Sequence, residues 1–286
     1  MTEGYDPRLT PVRGDIAAAH LRGRINAQRY VEGVKLQAAA PAIGVHREPS
    51  LESEQMNQLL LGETAIIYDV RGSWGWGQSL HDDYVGWMSL ADMTSDVREP
   101  SRRIRALRSI IYAEPDLRAP ALMSAPMNAR IALSAAGGEG AFLPVARGGW
   151  IVASHLVGLD HTGGDYVAIA QAFLGTPYLW GGRCSMGIDC SGLVQSALGG
   201  AGQACARDTD MQLDSLGREL RGDERPARGD FAFWKGHVAI LIDERMVVHA
   251  DGRTMAVVIE PLSEVSKGRI PLTAEACCIR RLDGYD

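Results

Sequence analysis

The chain has 286 residues, 46% of them hydrophobic and 22% charged, with a formal net charge of −6. This describes a globular protein of one to three domains with enough mass for a real core. No apolar run approaches the roughly 18 residues of a membrane span, and neither half is basic, which argues against nucleic acid as a partner.

Residues 1–40 read as an N-terminal arm. GDIAAAHLRGR predicts a short helix, with Asp15 as N-cap and Gly23 as stop. The start, MTEGYDPRLTPVRGD, lacks the basic-then-apolar pattern of a signal peptide, so a cytoplasmic location is expected.

From 41 to 97 the signals are short strands with turns: LLLGETAIIYDV, SWGWGQSL and DDYVGWMSL. Several short strands at close spacing predict a small β-barrel. A second one is expected over 98–158, carried by RSIIYAEPDLRAP, NARIALSA and RGGWIVASHLV. GWMSL and GWIVASHL form a weak internal repeat. Trp74, Trp76 and Trp87 suit either a ligand groove or the barrel core, with core expected for at least one.

After Thr162 the pattern changes. DYVAIAQAFLG predicts a helix ending at Gly175, TPYLWGGR a loop, CSGLVQSALGGAG a second helix and ARDTDMQLDSLG a third. The second helix places apolar residues at Leu193, Val194, Ala197 and Leu198. DFAFW, GHVAILID, MVVHAD and AVVIEPL follow as consecutive strands. Helices first and antiparallel strands after is an α+β pattern.

Five cysteines stand at 184, 190, 205, 277 and 278. Their odd number and crowded spacing do not suit a secreted disulfide framework, and no CxxC is present, so neither disulfides nor a zinc site is expected. Cys184, Cys205, Cys277 and Cys278 read as structural. Cys190 opens the second helix, where unpaired N–H groups and the positive dipole end would stabilise a thiolate and lower its pKa. Those N–H groups would also suit a developing oxyanion. A thiolate nucleophile needs a proton shuttle near neutral pH. His237 and His249 lie on strands joined by the short turn DER, so adjacent strands would set the two imidazoles side by side. On spacing alone two readings stay open: a small buried hydrophobe, or a nucleophile with a two-histidine relay.

The segment PYLWGGRCSMGIDCSGLVQ resembles the signature of the NlpC/P60 cysteine peptidases. The matching elements are Pro177 to Gly182, Asp189 to Gln195, Gly229 to Trp234, His237 to Ile240, and His249, within roughly residues 162–283. The resemblance implies Cys190 as nucleophile, His237 as base, His249 as its orienting partner and Tyr178 beside the nucleophile. The front half resembles bacterial SH3-like barrels. The implied architecture is an α+β protein, with a papain-like NlpC/P60 catalytic domain (159–286) preceded by two small SH3-like β-barrels.

The whole arrangement is similar to the γ-D-glutamyl-L-diamino acid endopeptidases that recycle murein peptides. That similarity implies Asp189 and Ser191 binding the free amino end of L-Ala-γ-D-Glu, and Thr209 near the D-Glu carboxylate. It also implies a pocket wall from the first barrel made by Tyr84 and an acid, taken as Asp83 among Glu63, Asp82 and Asp83. The partner would be a small murein peptide with a free N-terminal L-Ala, with no cofactor, metal, nucleic acid or membrane. Two rivals remain: a non-catalytic wall-peptide binder, and a thiol amidase or acyltransferase on another substrate.

Overall fold

The computed structural model describes residues 5–267 and 278–282. The chain forms two compact units, 1–159 and 160–286. Cys277 lies outside the described residues.

In the front unit a seven-stranded antiparallel sheet runs in the order Met93–Thr94, Val34–Ala38, Thr64–Arg71, Trp74–Ser79, Val85–Ser89, Ala42–His46, Gln55–Leu60. It takes in Val34–Ala38, so the sheet begins ahead of the expected boundary at residue 41. Alternating side chains fill its core with Ile43, Val45, Leu59, Ile67, Tyr84 and Met88.

The expected helix in the arm is not formed. Ile16–Ala18 is a strand, paired with Val12–Arg13 and Arg29–Val31, and only Ala19–Leu21 turns, as a 3-10 helix. Asp15 caps nothing; its carboxylate pairs with Arg13 and Arg29, each at 2.9 Å. Burial explains the difference. Ile16, Ala17 and Ala18 are fully buried in a cluster with Tyr68, Trp76 and Trp87, and a helix this short has no stability of its own to oppose that packing. Trp76 and Trp87 are therefore covered core residues, with the Arg13 guanidinium 4.8 and 5.2 Å from their ring centroids.

Residues 98–158 build a three-stranded and a four-stranded sheet around Ile104, Ile111, Ala125, Ile131 and Ile151. The internal repeat has a structural counterpart. Val85–Ser89 runs into a 3-10 turn at Leu90–Asp92, and Trp150–Val152 runs into one at Ala153–His155. The entry residues Ser89 and Val152 share φ −66° and ψ 122°.

In the second unit the three expected helices form: Tyr166–Ala172, Cys190–Gly200 and Thr209–Ser215. Asp165 starts the first, its side chain accepting from the N–H groups of Val167 and Ala168 at 3.0 and 3.2 Å. The sheet runs in the order Arg218–Glu219, Cys278–Arg281, Phe231–Trp234, His237–Leu241, Met246–Asp251, Ala256–Pro261, antiparallel throughout. The Cys190–Gly200 helix packs on it, with Leu193, Val194, Ala197 and Leu198 at most 1% exposed. Among the described residues, no helix is long and apolar enough to cross a membrane.

Candidate active site

Cys190 is the first residue of its helix because Asp189 caps it. Asp189 is extended (φ −99°, ψ −179°), and its Oδ1 accepts from the Gly192 N–H at 2.7 Å. Gly192 lets the preceding loop lie directly on this turn: a Cβ there would stand 2.1 Å from the Gly182 carbonyl oxygen. The glycines of the WGGR and DCSG segments thus serve a close backbone approach.

The Asp189 carboxylate is occupied. Oδ2 accepts from the Gly181 N–H at 2.8 Å and from Arg207 Nη2 at 2.7 Å. Oδ1 accepts from Arg207 Nη1 at 3.0 Å and from the Ser191 hydroxyl at 3.3 Å, besides Gly192. Five donors saturate the roughly four lone-pair sites of a carboxylate. Asp189 is a helix cap held in a buried ion pair with Arg207. The Ser191 hydroxyl also accepts from Arg207 Nη1, at 2.9 Å. Sequence reasoning missed Arg207, although it begins the Arg-Asp-Thr segment.

Around the sulfur, Thr209 Oγ1 lies 3.9 Å from Cys190 Sγ. Burial, with the Asp189 charge second, pushes the Cys190 thiol up to about 11; N–H groups of Val238 and Ser191 and the Thr209 hydroxyl pull the other way. The expected depressed pKa is reversed, because the helix terminus sits under a buried sulfur. A base that takes the thiol proton would offset this burial cost.

A two-residue loop places His237. Trp234 and His237 pair across Lys235-Gly236, with Gly236 at φ +73°. The next strand pairs through Ile240↔Val248 and Leu241↔Val247. Continued outward, that register sets His237 and His249 on a diagonal of one face. Their rings meet: His237 Nε2 and His249 Nδ1 are 2.9 Å apart, with planes at 76°. His237 is 5% exposed and His249 fully buried.

Tyr178 is half-buried on the loop before the helix. It pairs with Ile188 in a parallel bridge and donates its N–H to the Met255 carbonyl at 2.9 Å. Asp251 and Glu260 approach His249, with ligand atoms of the three within 4.8 Å of one another. Arg253 bridges both carboxylates, so the cluster carries its own cationic partner.

The two front-unit residues differ from each other. Tyr84 is 2% exposed and belongs to the core of the seven-stranded sheet. Asp83 is exposed at φ +59°. Of the alternative acids, Glu63 is buried and caps the Leu60 N–H at 2.8 Å, and Asp82 accepts from Asn57 Nδ2 at 2.8 Å. Cys184 is buried, while Cys205 and Cys278 are half-buried free thiols.

A thiol opening a buried helix, with paired imidazoles on the sheet facing that helix, is the arrangement of a cysteine peptidase, and the second unit carries an NlpC/P60 domain. Residues 175–269 match that family, and residues 45–93 match the bacterial dipeptidyl-peptidase Sh3 domain. The chain is 25% identical over 231 residues to Dipeptidyl-peptidase 6 of Lysinibacillus sphaericus, covering 72% of this chain and 83% of that one. It is 26% identical over 238 residues to a Gamma-D-glutamyl-L-lysine dipeptidyl-peptidase of Bacillus cereus, covering 72% and 70%. A crystal structure of an NlpC/P60 family protein from Bacillus cereus shares the fold, with a TM-score of 0.72 at 20% identity over 87% of this chain and 99% of that one.

Proposed function

We propose that the chain hydrolyses the bond between the γ-carboxyl of D-Glu and a diamino acid in free murein peptides. The reading comprises a papain-like catalytic unit behind two SH3-like barrels, working in the cytoplasm on peptides already stripped from glycan. The observation that carries it is the 2.9 Å contact of His237 and His249 on the strands against which the Cys190 helix packs. The names of the two relatives support the substrate class.

Cys190 Sγ attacks the γ-carbonyl while His237 takes the thiol proton. The tetrahedral oxyanion is held at the helix N-terminus. It collapses to a thioester as His237 passes its proton to the departing amine. Water, deprotonated by His237, then hydrolyses the thioester and returns the thiol. His249 holds the second nitrogen of His237. Asp189 and Ser191 bind the L-Ala amine in this reading, Thr209 meets the D-Glu carboxylate region, and Tyr178 offers its hydroxyl to substrate. Tyr84 and Asp83 are further proposed contacts of that amine.

The test is mass spectrometry of L-Ala-γ-D-Glu-meso-diaminopimelate and its N-acetylated form after incubation with purified protein. Release of the diamino acid from the free peptide alone is the expected result. Cleavage of both removes the amine-reading pocket but keeps the peptidase. Cleavage of neither returns the weight to a wall-peptide binder or a thiol acyltransferase.

A further inference from the structure

Behind His249 the sheet carries a further layer of charge. On the hairpin of Met246–Asp251 and Ala256–Pro261, His249 pairs with Val258 and Asp251 with Ala256. Glu260 is two residues beyond Val258, so it shares the His249 face on the diagonal. Glu260 Oε1 lies 3.0 Å from His249 Nε2, close enough for an ion-pair contact although off the N–H axis. Arg253 Nη2 donates to both Glu260 oxygens, at 2.6 and 2.9 Å, and its Nε donates to Asp251 Oδ2 at 3.2 Å. Asp251 is fully buried. The order is His237, His249, Glu260, Arg253, Asp251.

We propose that Glu260, held by Arg253, is a positioning residue that fixes the histidine tautomers so that Nδ1 of His237 is the base. The proposal rests on Cys190 and His237 acting as read above. A neutral imidazole carries one N–H. A carboxylate beside Nε2 of His249 favours the proton on that nitrogen and leaves Nδ1 as an acceptor. The one proton in the 2.9 Å contact then belongs to Nε2 of His237, and its Nδ1 holds a lone pair. The opposite tautomer of His249 would donate from Nδ1. His237 would then carry its own proton on Nδ1 and could not accept one from a thiol there.

The same cluster sets charge. Two carboxylates against one guanidinium leave about one negative charge beside the pair, which favours the imidazolium formed when the thiol gives up its proton. The titratable groups on the elements packed against the His249 strand are Cys190, Tyr166, His237 and Glu260. Asp251 and Arg253 lie on its own hairpin, and the Tyr178 ring is near Gly252.

The experiment compares wild type, Cys190→Ala, Glu260→Gln and Glu260→Asp, with kcat and kcat/KM followed against pH on the free peptide. Side-chain 15N resonances of His237 and His249 are recorded on the same proteins. Glu260→Gln should lower kcat roughly tenfold or more, with KM within about twofold. Loss of the negative charge lowers the imidazolium pKa, so the acid limb of kcat/KM should move to lower pH. Glu260→Asp keeps the charge and should recover most of the rate. In wild type both histidines should carry the proton on Nε2.

A proton on Nδ1 of His249 in wild type overturns the proposal whatever the variants do, and does not depend on Glu260→Gln folding. So does a kcat loss in Glu260→Gln with an unmoved acid limb and unchanged tautomers, which would mark Glu260 as structural support only. A wild type that cleaves nothing, or a Cys190→Ala that still cleaves, sinks the peptidase reading separately.

Discussion

Arg207 holds both oxygens of Asp189, Nη1 on Oδ1 at 3.0 Å and Nη2 on Oδ2 at 2.7 Å, with 1% of its own side chain exposed. Arg207 Nη2 also lies 3.3 Å from the Gly182 carbonyl oxygen. One carboxylate therefore ties together the glycine loop, the first turn of the Cys190 helix and the Arg-Asp-Thr segment. Thr209 follows Arg207 by two residues and faces the sulfur, so the pair sets both the nucleophile and the hydroxyl beside it.

Replacing Arg207 with Met should destabilise the protein by about 3–5 kcal/mol, because it leaves the Asp189 charge buried without a counter-ion. Urea unfolding of wild type, Arg207→Met, Asp189→Asn and the double variant checks this. The double variant should be less destabilised than the sum of the singles, since it removes both charges. Additive losses would mean that the two residues act independently.

Substituting Gly192 with Ala should cost about 1–3 kcal/mol or more and most of the activity. The new Cβ would meet a backbone oxygen at 2.1 Å, which no side-chain rotation relieves. Gly222→Ala is the control, because its Cβ meets nothing within 4 Å. Thermal unfolding and peptide turnover should separate the two variants.

Cys190→Ala and His237→Ala should each lower turnover at least about a thousandfold. His249→Ala should fall by about 10²–10⁴-fold, since His237 keeps its place but loses the partner that orients it. Liquid chromatography of the released diamino acid reads all three. Wild-type rates in either of the first two variants would remove the covalent route.

The strands and helices of the second unit were legible because their signals are local. Leu193, Val194, Ala197 and Leu198 mark one helix, and β-branched runs mark the strands. The two histidines could be placed together because a turn of three residues joins their strands. The arm was misread because Ile16–Ala18 is composed like a helix, and only distant Trp76 and Trp87 decide otherwise. The ion pair of Asp189 was hidden for a similar reason. Its partner Arg207 lies 18 positions away, and nothing in the local sequence says that both are buried. Glu260 was invisible because an acid on an edge strand normally faces water.

The thiol itself gives the last prediction. The raised Cys190 pKa, about 11, follows first from burial and then from the Asp189 charge. Below that value the thiolate fraction grows tenfold per pH unit. Alkylation of Cys190 by iodoacetamide in the ligand-free protein should therefore rise steadily from pH 6 to pH 9, with no plateau. Tryptic mapping assigns the labelled cysteine. A fast, pH-independent rate below pH 7 would show instead that Cys190 and His237 rest as a thiolate and an imidazolium. That outcome would mean that the N–H groups of Val238 and Ser191 outweigh the cost of burying the charge. With the thiol neutral at rest, proton transfer to His237 falls within the attack, and the arrangement of the two histidines bears directly on the rate of that step.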